Sequence, residues 1–344
     1  MLAYRYHLLN IYKNYKVFRT GYREFQRTGE TPKEAFHAMR KLYGLTNGRF
    51  NDWMGKRTSG GRKRHNIQET NGVLGRFGRA EINEVVSAMK RDGYYVFPQR
   101  LKPELVAELK KLASSTPATY LVPNTDSSKF KSEWSDGKIL VDTENPQSPI
   151  YHWERQDLME NDASRSIILD DTFLALAQEY LGMCPVLDHI GMWQSFPFGG
   201  MSKAEAAQMY HYDMDRLKFV KFLMYLTPVE ANNGPHCYVQ GSQGKKPAEL
   251  LVDSRKTDEQ ITKHYGNDRQ VEILGEAGTV MMVDTSGFHK GKTPDDGTRL
   301  MFQLEFADSL FGQNYGYIEL SDSLKPKVEG ALNKYPQSYK AIFK

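Results

Sequence analysis

The sequence lacks several features that would assign it to a particular class of protein. It has only two cysteines, Cys184 and Cys237, and their wide separation fits neither a disulfide framework nor a zinc site. No run approaches the roughly 18 apolar residues of a membrane-spanning helix. The N-terminal stretch also lacks the uninterrupted apolar segment of a signal peptide. These absences predict a cytoplasmic protein, soluble or at most peripheral to the inner face of a membrane.

Positive charge is concentrated at the start of the chain. Residues 1–65 contain 15 of the 46 Lys and Arg residues and 4 of the 42 Asp and Glu residues, a balance of +11. The remainder contains 31 against 38, a balance of −7. A basic arm on a mildly acidic body suggests contact with an anionic membrane or a phosphorylated ligand, and less readily with nucleic acid. A solvated helical surface explains the same charges equally well.

Hydrophobic spacing divides the chain into three regions. Residues 1–75 read as a basic, aromatic-rich helical extension, in which Thr31 is the expected N-cap of a helix. Residues 76–320 form the main domain, which opens with helices near 79–91 and 103–113. Residues 321–344 are expected to form a helical tail.

From Cys184 onward, short apolar segments alternate with turns rich in Gly, Asn and Asp. Many short strands at this spacing are typical of a β-sandwich or barrel. We therefore expect a mainly β fold with flanking helices, in addition to the helical extension. The predicted strands are 186–196, 219–226, 237–239, 270–273, 279–283 and 299–306.

Four residues have the spacing of a metal and co-substrate site. His211 and Asp213 lie at positions i and i+2 ahead of a predicted strand, where an extended chain places both side chains on one face. His289 follows another apolar strand, and Arg299 opens a further strand ten residues later. Taken alone, His211 and Asp213 could be a hydrogen-bonded surface pair, and Arg299 could form a structural salt bridge.

The four residues together suit one chemistry. Two imidazoles and one carboxylate bind one face of iron(II) and leave positions open for a chelating co-substrate and O₂. 2-Oxoglutarate chelates through one end of the molecule, and its other carboxylate needs a cationic anchor. Arginine offers a planar bidentate fork for that carboxylate.

Several segments resemble motifs of the phytanoyl-CoA dioxygenase (PhyH-like) family of Fe(II)/2-oxoglutarate-dependent oxygenases. The resemblance covers the chain from about residue 80 to residue 310, and residues 1–75 have no counterpart in it. Gln243 occupies a position where the family has histidine. The segments are KRDGYYVFPQRLKPELVAEL, MWQSFPFGG, YHYDMDR, NNGPHCYVQGSQ and GFHKGKTPDDGTR.

The resemblance implies a double-stranded β-helix, the cupin-like jelly roll, with helices packed on one side. It implies His211, Asp213 and His289 as the catalytic iron ligands and Arg299 as the anchor of the 2-oxoglutarate co-substrate. The remaining candidate site residues are Tyr225 and Gln194 for the co-substrate, and Trp193, His152 and Arg155 for the substrate.

The carboxylate ligand narrows the expected reaction. Related halogenases have Ala or Gly in place of Asp213, so its presence favours hydroxylation, although desaturation, ring formation and epimerisation use the same ligands. We expect a dioxygenase that hydroxylates an unactivated carbon of a small polar or anionic metabolite, with succinate and CO₂ as co-products. The alternative is a non-catalytic module whose basic arm binds an anionic membrane or nucleic acid. Salt-sensitive binding of residues 1–75 alone to liposomes or DNA would favour that alternative.

Overall fold

The computed structural model of the chain describes residues 2–58, 61–122, 133–197 and 209–344. Its α-helices are α1 (Leu2–Thr28), α2 (Lys33–Thr46), α3 (Arg49–Thr58), α4 (Arg79–Asp92), α5 (Pro103–Ser115), α6 (Arg155–Glu160), α7 (Asp162–Ile168), α8 (Asp171–Leu181), α9 (Asp258–Tyr265), α10 (Lys325–Lys334) and α11 (Pro336–Tyr339). Its strands are β1 (Thr70–Gly72), β2 (Gly75–Phe77), β3 (Tyr94–Arg100), β4 (Thr119–Val122), β5 (Glu133–Trp134), β6 (Ile150–Trp153), β7 (Val186–Ser195), β8 (Phe219–Tyr225), β9 (His236–Val239), β10 (Gln270–Ile273), β11 (Thr279–Val283), β12 (His289–Gly291) and β13 (Arg299–Ala307).

Two antiparallel sheets form the body of the fold. The larger has the strand order β3-β11-β8-β13-β7-β6-β4-β5, and the smaller has the order β10-β9-β12. Side chains of the two sheets share one apolar cluster, in which Leu223 and Met301 of the larger sheet join Tyr238 and Ile273 of the smaller. The sheets therefore face each other, and the predicted mainly β jelly roll with flanking helices is confirmed.

The central strands are apolar on both faces because both faces are covered. Every residue of β8 and β13 is buried. Phe222 of β8 packs against Phe173 of α8, with ring centroids 4.9 Å apart, whereas the adjacent Leu223 points into the space between the sheets. A strand covered on both faces reads as a continuous apolar run, which explains the sequence of β8.

The six strands predicted from Cys184 onward are confirmed to within one residue at each end. Short strands such as β6 and β12, and helix α9, were not predicted because their apolar runs are brief. The expected capping role of Thr31 is wrong. Pro32 is the residue before α2, and the Thr31 hydroxyl instead accepts a hydrogen bond from the Gly312 amide at 2.9 Å. A tertiary contact thus uses the hydroxyl that would have capped the helix.

The N-terminal helices share a core with the barrel. Phe18 of α1 and Phe50 of α3 lie in one cluster with Leu217 and Phe311 of the body. The Phe18 and Phe311 rings meet edge to face at 5.2 Å. These contacts use the apolar face of α1, which the helical spacing of its aromatic residues had indicated.

The opposite face of α1 is exposed and cationic. Lys13, Lys16 and Arg23 are exposed there, and Tyr12, about half of whose surface is accessible, lies among them. No described helix is long and apolar enough to cross a membrane. Contact of this face with an anionic membrane or a phosphorylated ligand stays a prediction from the sequence.

A buried lysine ties the extension to the barrel. Lys246 is 2% exposed, and its ammonium lies 5.3–5.6 Å from the ring centres of Tyr43 in α2, Tyr212 and Phe288. Its one hydrogen bond goes to the Tyr43 hydroxyl at 2.8 Å. An ammonium has three donors to satisfy, so the ring faces offset only part of its lost hydration. Burial accordingly lowers the pKa of Lys246 to about 7.

This pKa predicts a specific dependence of stability on pH. An unfolded lysine titrates near pH 10.4, so between about pH 7 and pH 10 the unfolded chain holds a proton that the folded chain has released. The contribution of Lys246 to the free energy of unfolding therefore rises with pH across this range. Below pH 7 the folded protein bears the full cost of burying the charged ammonium. We expect Lys246→Met to raise the unfolding temperature by several degrees at pH 6 and by less at pH 10.

The matched control is Lys245→Met, which removes an adjacent but exposed lysine. Thermal unfolding of the three proteins between pH 6 and pH 10 makes the comparison. An equal shift for Lys246→Met at both ends of this range would contradict the assignment.

Candidate metal centre

Backbone pairing brings two distant segments together around His211 and His289. The His211 amide donates to the His289 carbonyl at 2.9 Å, and the His289 amide donates back at 2.8 Å. The Asp213 amide donates to the Thr285 carbonyl at 2.7 Å. These bonds extend the smaller sheet beyond β12 and place the two imidazole ring centres 4.3 Å apart.

His211, Asp213 and His289 present their ligand atoms to one point. One atom from each residue lies within 4.8 Å of the other two. The Nε2 atoms of His211 and His289 are 3.7 Å and 3.5 Å from the two oxygens of Asp213. Among the described residues, no other group of three or more His, Cys, Asp or Glu side chains converges in this way.

Both histidines are held in the tautomer that a metal requires. Nδ1 of His211 lies 3.1 Å from the Met209 carbonyl, and Nδ1 of His289 lies 3.0 Å from the Gly287 carbonyl. A carbonyl oxygen only accepts, so each Nδ1 carries the proton and each Nε2 keeps its lone pair for the metal. Burial lowers the pKa of His211 to about 3 and also lowers that of His289, which keeps both rings neutral.

Lys221 of β8 lies behind the carboxylate ligand. Its ammonium is 2.8 Å from Asp213, 3.1 Å from Asp215 and 3.3 Å from the fully buried Glu305. Burial alone would raise the pKa of Asp213, but the ammonium of Lys221 outweighs it and holds that pKa below its usual range. Asp213 is therefore ionised and oriented before any metal binds.

These three residues fit a divalent ion of the iron(II) type. Two neutral imidazoles and one carboxylate occupy one face of the site, which is the donor set of iron(II) oxygenases. The backbone carbonyls on Nδ1 and the ammonium on Asp213 are the outer contacts that commonly orient such ligands.

A cavity of about 240 Å³ opens beside the three residues. It is smaller than the roughly 300–1,000 Å³ of drug-binding pockets, which suits a compact co-substrate. The wall includes apolar side chains from four strands of the larger sheet, among them Ile150, Trp193, Leu223 and Met301. Besides the candidate ligands and Lys221, its polar lining includes Ser195, His236, Thr285, Arg299 and Gln303.

Arg299 lies on the cavity wall and is buried. Its guanidinium donates to the carbonyls of Gly234 and Lys292 and lies 3.4 Å from the Ser195 hydroxyl, while its Nε has no partner in the described part of the chain. Among the described residues, no carboxylate forms an ion pair with it. Gly291 faces the guanidinium and leaves room beside it. An unpaired buried cation is costly, so this arrangement favours an anionic ligand in the cavity.

His236 belongs to the cavity wall, although it is not among the candidate site residues from the sequence. It is 7% exposed, its ring stacks on that of His289 at 5.5 Å, and its Nε2 has no hydrogen-bond partner among the described residues. In the sequence, His236 adjoins only Cys237, and a soft metal site of those two ligands is not favoured; the pairing of β9 with β12 brings His236 beside His289.

Two predicted co-substrate contacts do not lie on the cavity wall. Gln194 alternates with the inward-facing Trp193 and donates to the Thr298 hydroxyl at 3.0 Å. The Tyr225 hydroxyl donates to the Ile273 carbonyl at 2.8 Å and accepts from the His236 amide at 2.9 Å. Both side chains therefore serve the sheet framework.

The three predicted substrate contacts are in different surroundings. Trp193 lines the cavity. His152 pairs with Trp193 across β6 and β7 and is half-buried against Trp134, outside the cavity wall. Arg155 does not lie on the cavity wall, and its guanidinium donates to the carbonyls of Tyr315, Gly316 and Asp188 at 2.8–2.9 Å, so its role as a substrate contact stays a prediction. It ties β7 to the segment after β13.

Removal of Lys221 should destabilise the protein. Lys221→Met leaves Asp213, Asp215 and Glu305 without their shared cation, and an unpaired buried charge costs roughly 3–5 kcal/mol. We expect a loss of that order in the free energy of unfolding, measured by denaturant titration without metal. Adding Glu305→Gln should restore part of it, and a double variant no more stable than Lys221→Met would contradict this account.

The PhyH family, phytanoyl-CoA dioxygenase, matches residues 89–295, which is more than half of the 344 residues. No curated protein matches the sequence. One similar structure is SnoN, a non-heme alpha ketoglutarate dependent epimerase from nogalamycin biosynthesis. It has 15% identity and a TM-score of 0.47, over 67% of this chain and 84% of that one. Another is HygX from Streptomyces hygroscopicus with nickel and 2-oxoglutarate bound, with 16% identity and a TM-score of 0.44, over 70% and 93% of the two chains.

At 15–16% identity and TM-scores below 0.5, these structural similarities carry no argument about activity. The family match, by contrast, spans the segment that contains His211, Asp213 and His289. The resemblance found in the sequence is thereby confirmed: the chain belongs to the phytanoyl-CoA dioxygenase (PhyH) family of iron- and 2-oxoglutarate-dependent oxygenases.

Proposed function

We propose that this protein is an Fe(II)- and 2-oxoglutarate-dependent hydroxylase of a small polar or anionic metabolite. The observation that carries the proposal is the position of Arg299. A buried guanidinium without a carboxylate partner lies on the same cavity as a group of two histidines and one aspartate. A dicarboxylate that chelates the metal at one end would satisfy that guanidinium at the other.

The residues of the chain have separate roles in this proposal. His211, Asp213 and His289 would hold iron(II), and bound iron would supply the oxidising chemistry by which 2-oxoglutarate, O₂ and the substrate give succinate, CO₂ and the hydroxylated substrate. Arg299 binds the distal carboxylate of the co-substrate. His236, with its unpartnered Nε2 on the wall, is a second polar contact available to it.

Apolar side chains limit the access of water to the site. Trp193, Leu223 and Met301 cover one side of the cavity, and a shielded site favours oxidation of the bound substrate over side reactions. Lys221 donates to Asp213 at 2.8 Å and so holds the carboxylate in position for the metal.

Hydroxylation is favoured over halogenation because a carboxylate occupies the third ligand position. Asp213 fills the place that a halide would need. Desaturation, ring formation and epimerisation keep the same ligands, and the mass of the product distinguishes them, because hydroxylation adds one oxygen atom to the substrate.

A complete donor set favours an enzyme over a silent binding module. Both tautomers are fixed by backbone carbonyls and the carboxylate is oriented by Lys221. A module that acted only through its basic arm would have no use for these contacts.

His211→Ala should abolish specific metal binding. Removal of one of three ligands leaves too few donors to hold a divalent ion, so the affinity for Fe(II) or Ni(II) should fall at least 100-fold, about 2.7 kcal/mol. Isothermal titration under anaerobic conditions measures it. His37→Ala, an exposed histidine of α2, is the matched control and should bind as the wild type does. Equal metal affinity in His211→Ala would refute the proposed centre.

Arg299→Gln should weaken 2-oxoglutarate binding while metal binding is kept. Loss of a charge-assisted pair costs about 1.5–3 kcal/mol, or roughly 10- to 100-fold in Kd. Titration of 2-oxoglutarate into Ni(II)-loaded protein measures this affinity without turnover. Arg269→Gln removes an exposed arginine that is not among the cavity-lining residues, and it controls for charge. A wild-type protein that binds metal but no 2-oxoglutarate would sink the proposal.

A further inference from the structure

A second arginine approaches the metal centre from the edge opposite to Arg299. Tyr210 and Lys256 form an antiparallel bridge, with amide-to-carbonyl distances of 3.1 Å and 2.7 Å. Continuing this register by one residue places Arg255 opposite His211. Residues opposite each other in an antiparallel pair have side chains on the same face.

The burial of Tyr210 and Lys256 shows which face of the paired segments His211 and Arg255 share. The Tyr210 and Lys256 side chains are 2% and 3% exposed and point into the body. Because side chains alternate along an extended chain, the side chains of His211 and Arg255 lie on the opposite face from Tyr210 and Lys256. This is the face on which His211 meets the other candidate metal ligands. Arg255 is therefore a neighbour of the centre on the side of His211 that does not face His289.

The Arg255 guanidinium has no hydrogen bond or ion pair within the described part of the chain. Nearby cations are engaged: Lys256 donates to the Val252 carbonyl and the Ser254 hydroxyl, Lys290 pairs with Asp258 at 2.7 Å, and Lys292 pairs with Glu272. Arg255 also loses part of its hydration, which lowers its pKa, and its charge contributes to lowering the pKa of His211.

We propose that Arg255 binds an anionic group of the substrate, a carboxylate or a phosphate, and so holds a neighbouring carbon at the metal centre. This inference rests on the proposed oxygenase function, and it makes the substrate an anionic rather than a neutral metabolite. Guanidinium suits the role because its planar fork binds both kinds of oxyanion through two parallel hydrogen bonds.

The location of Arg255 separates this role from that of Arg299. Arg299 lies in the cavity beside Gly291, beyond His289 along β12. Arg255 lies beyond His211 on the other flank of the paired segments. One arginine thus serves the co-substrate, and the other is left for a molecule that approaches from outside the cavity.

The test uses full-length protein loaded with Ni(II) and saturating 2-oxoglutarate, so that Arg299 is occupied and no turnover takes place. Inorganic phosphate and malonate are titrated separately, and binding is followed by calorimetry. We expect at least one probe to bind the wild type with a Kd at least tenfold lower than that for Arg255→Gln. Arg255→Lys should have an intermediate affinity, and Arg269→Gln should match the wild type.

The two probes distinguish the source of the anionic group: preference for phosphate indicates a phosphorylated substrate, and preference for malonate indicates a carboxylate. Equal binding by wild type and Arg255→Gln, or binding of neither probe to the wild type, overturns the inference.

The affinity for 2-oxoglutarate is measured first on the same Ni(II)-loaded proteins. If the wild type does not bind 2-oxoglutarate, the proposed function fails instead. If only Arg255→Gln loses 2-oxoglutarate binding, Arg255 is assigned to the co-substrate.

Discussion

The reciprocal backbone hydrogen bonds between His211 and His289 are the constraint on which the site depends. The two residues are far apart in sequence, and the pair of bonds fixes both the distance between the imidazoles and the face on which they lie. The same ladder continues through β12 into β9, which positions His236. The centre is thus a property of the smaller sheet, and a shift of one residue in its register would turn His289 away from Asp213.

Charged groups inside the barrel are the second constraint. Lys221, Glu305 and the Arg216–Asp188 pair are buried between the sheets or at their end, where unpaired charges would be costly. Lys221 and Arg216 have carboxylate partners, and the Arg155 guanidinium donates to three carbonyls. Arg299 has no carboxylate partner within the described residues, and because it also lies on the cavity wall, its neutralisation is left to a ligand.

The N-terminal helices are part of this arrangement. Tyr43 of α2 contacts Lys246 and the ring of Tyr212, which lies between two candidate ligands. The extension has no counterpart in the family pattern, but it packs directly against the segment that carries His211 and Asp213. Its inner face therefore supports the centre.

The sequence by itself determined a β-sandwich or barrel, the longer strands, and His211, Asp213, His289 and Arg299 as candidate site residues, because each is encoded by local spacing or apolar runs. The jelly roll was implied by the resemblance of its motifs to the PhyH family. The sequence could not place His236, Lys221 or Arg255, whose roles come from strand pairing between segments distant in sequence. It also did not show that the side chains of Gln194, Tyr225 and Arg155 form hydrogen bonds with other parts of the chain, since spacing does not show which polar groups will meet. Only the tertiary structure decides that, because each buried donor and acceptor must find a partner and its partner is set by the packing of the whole chain.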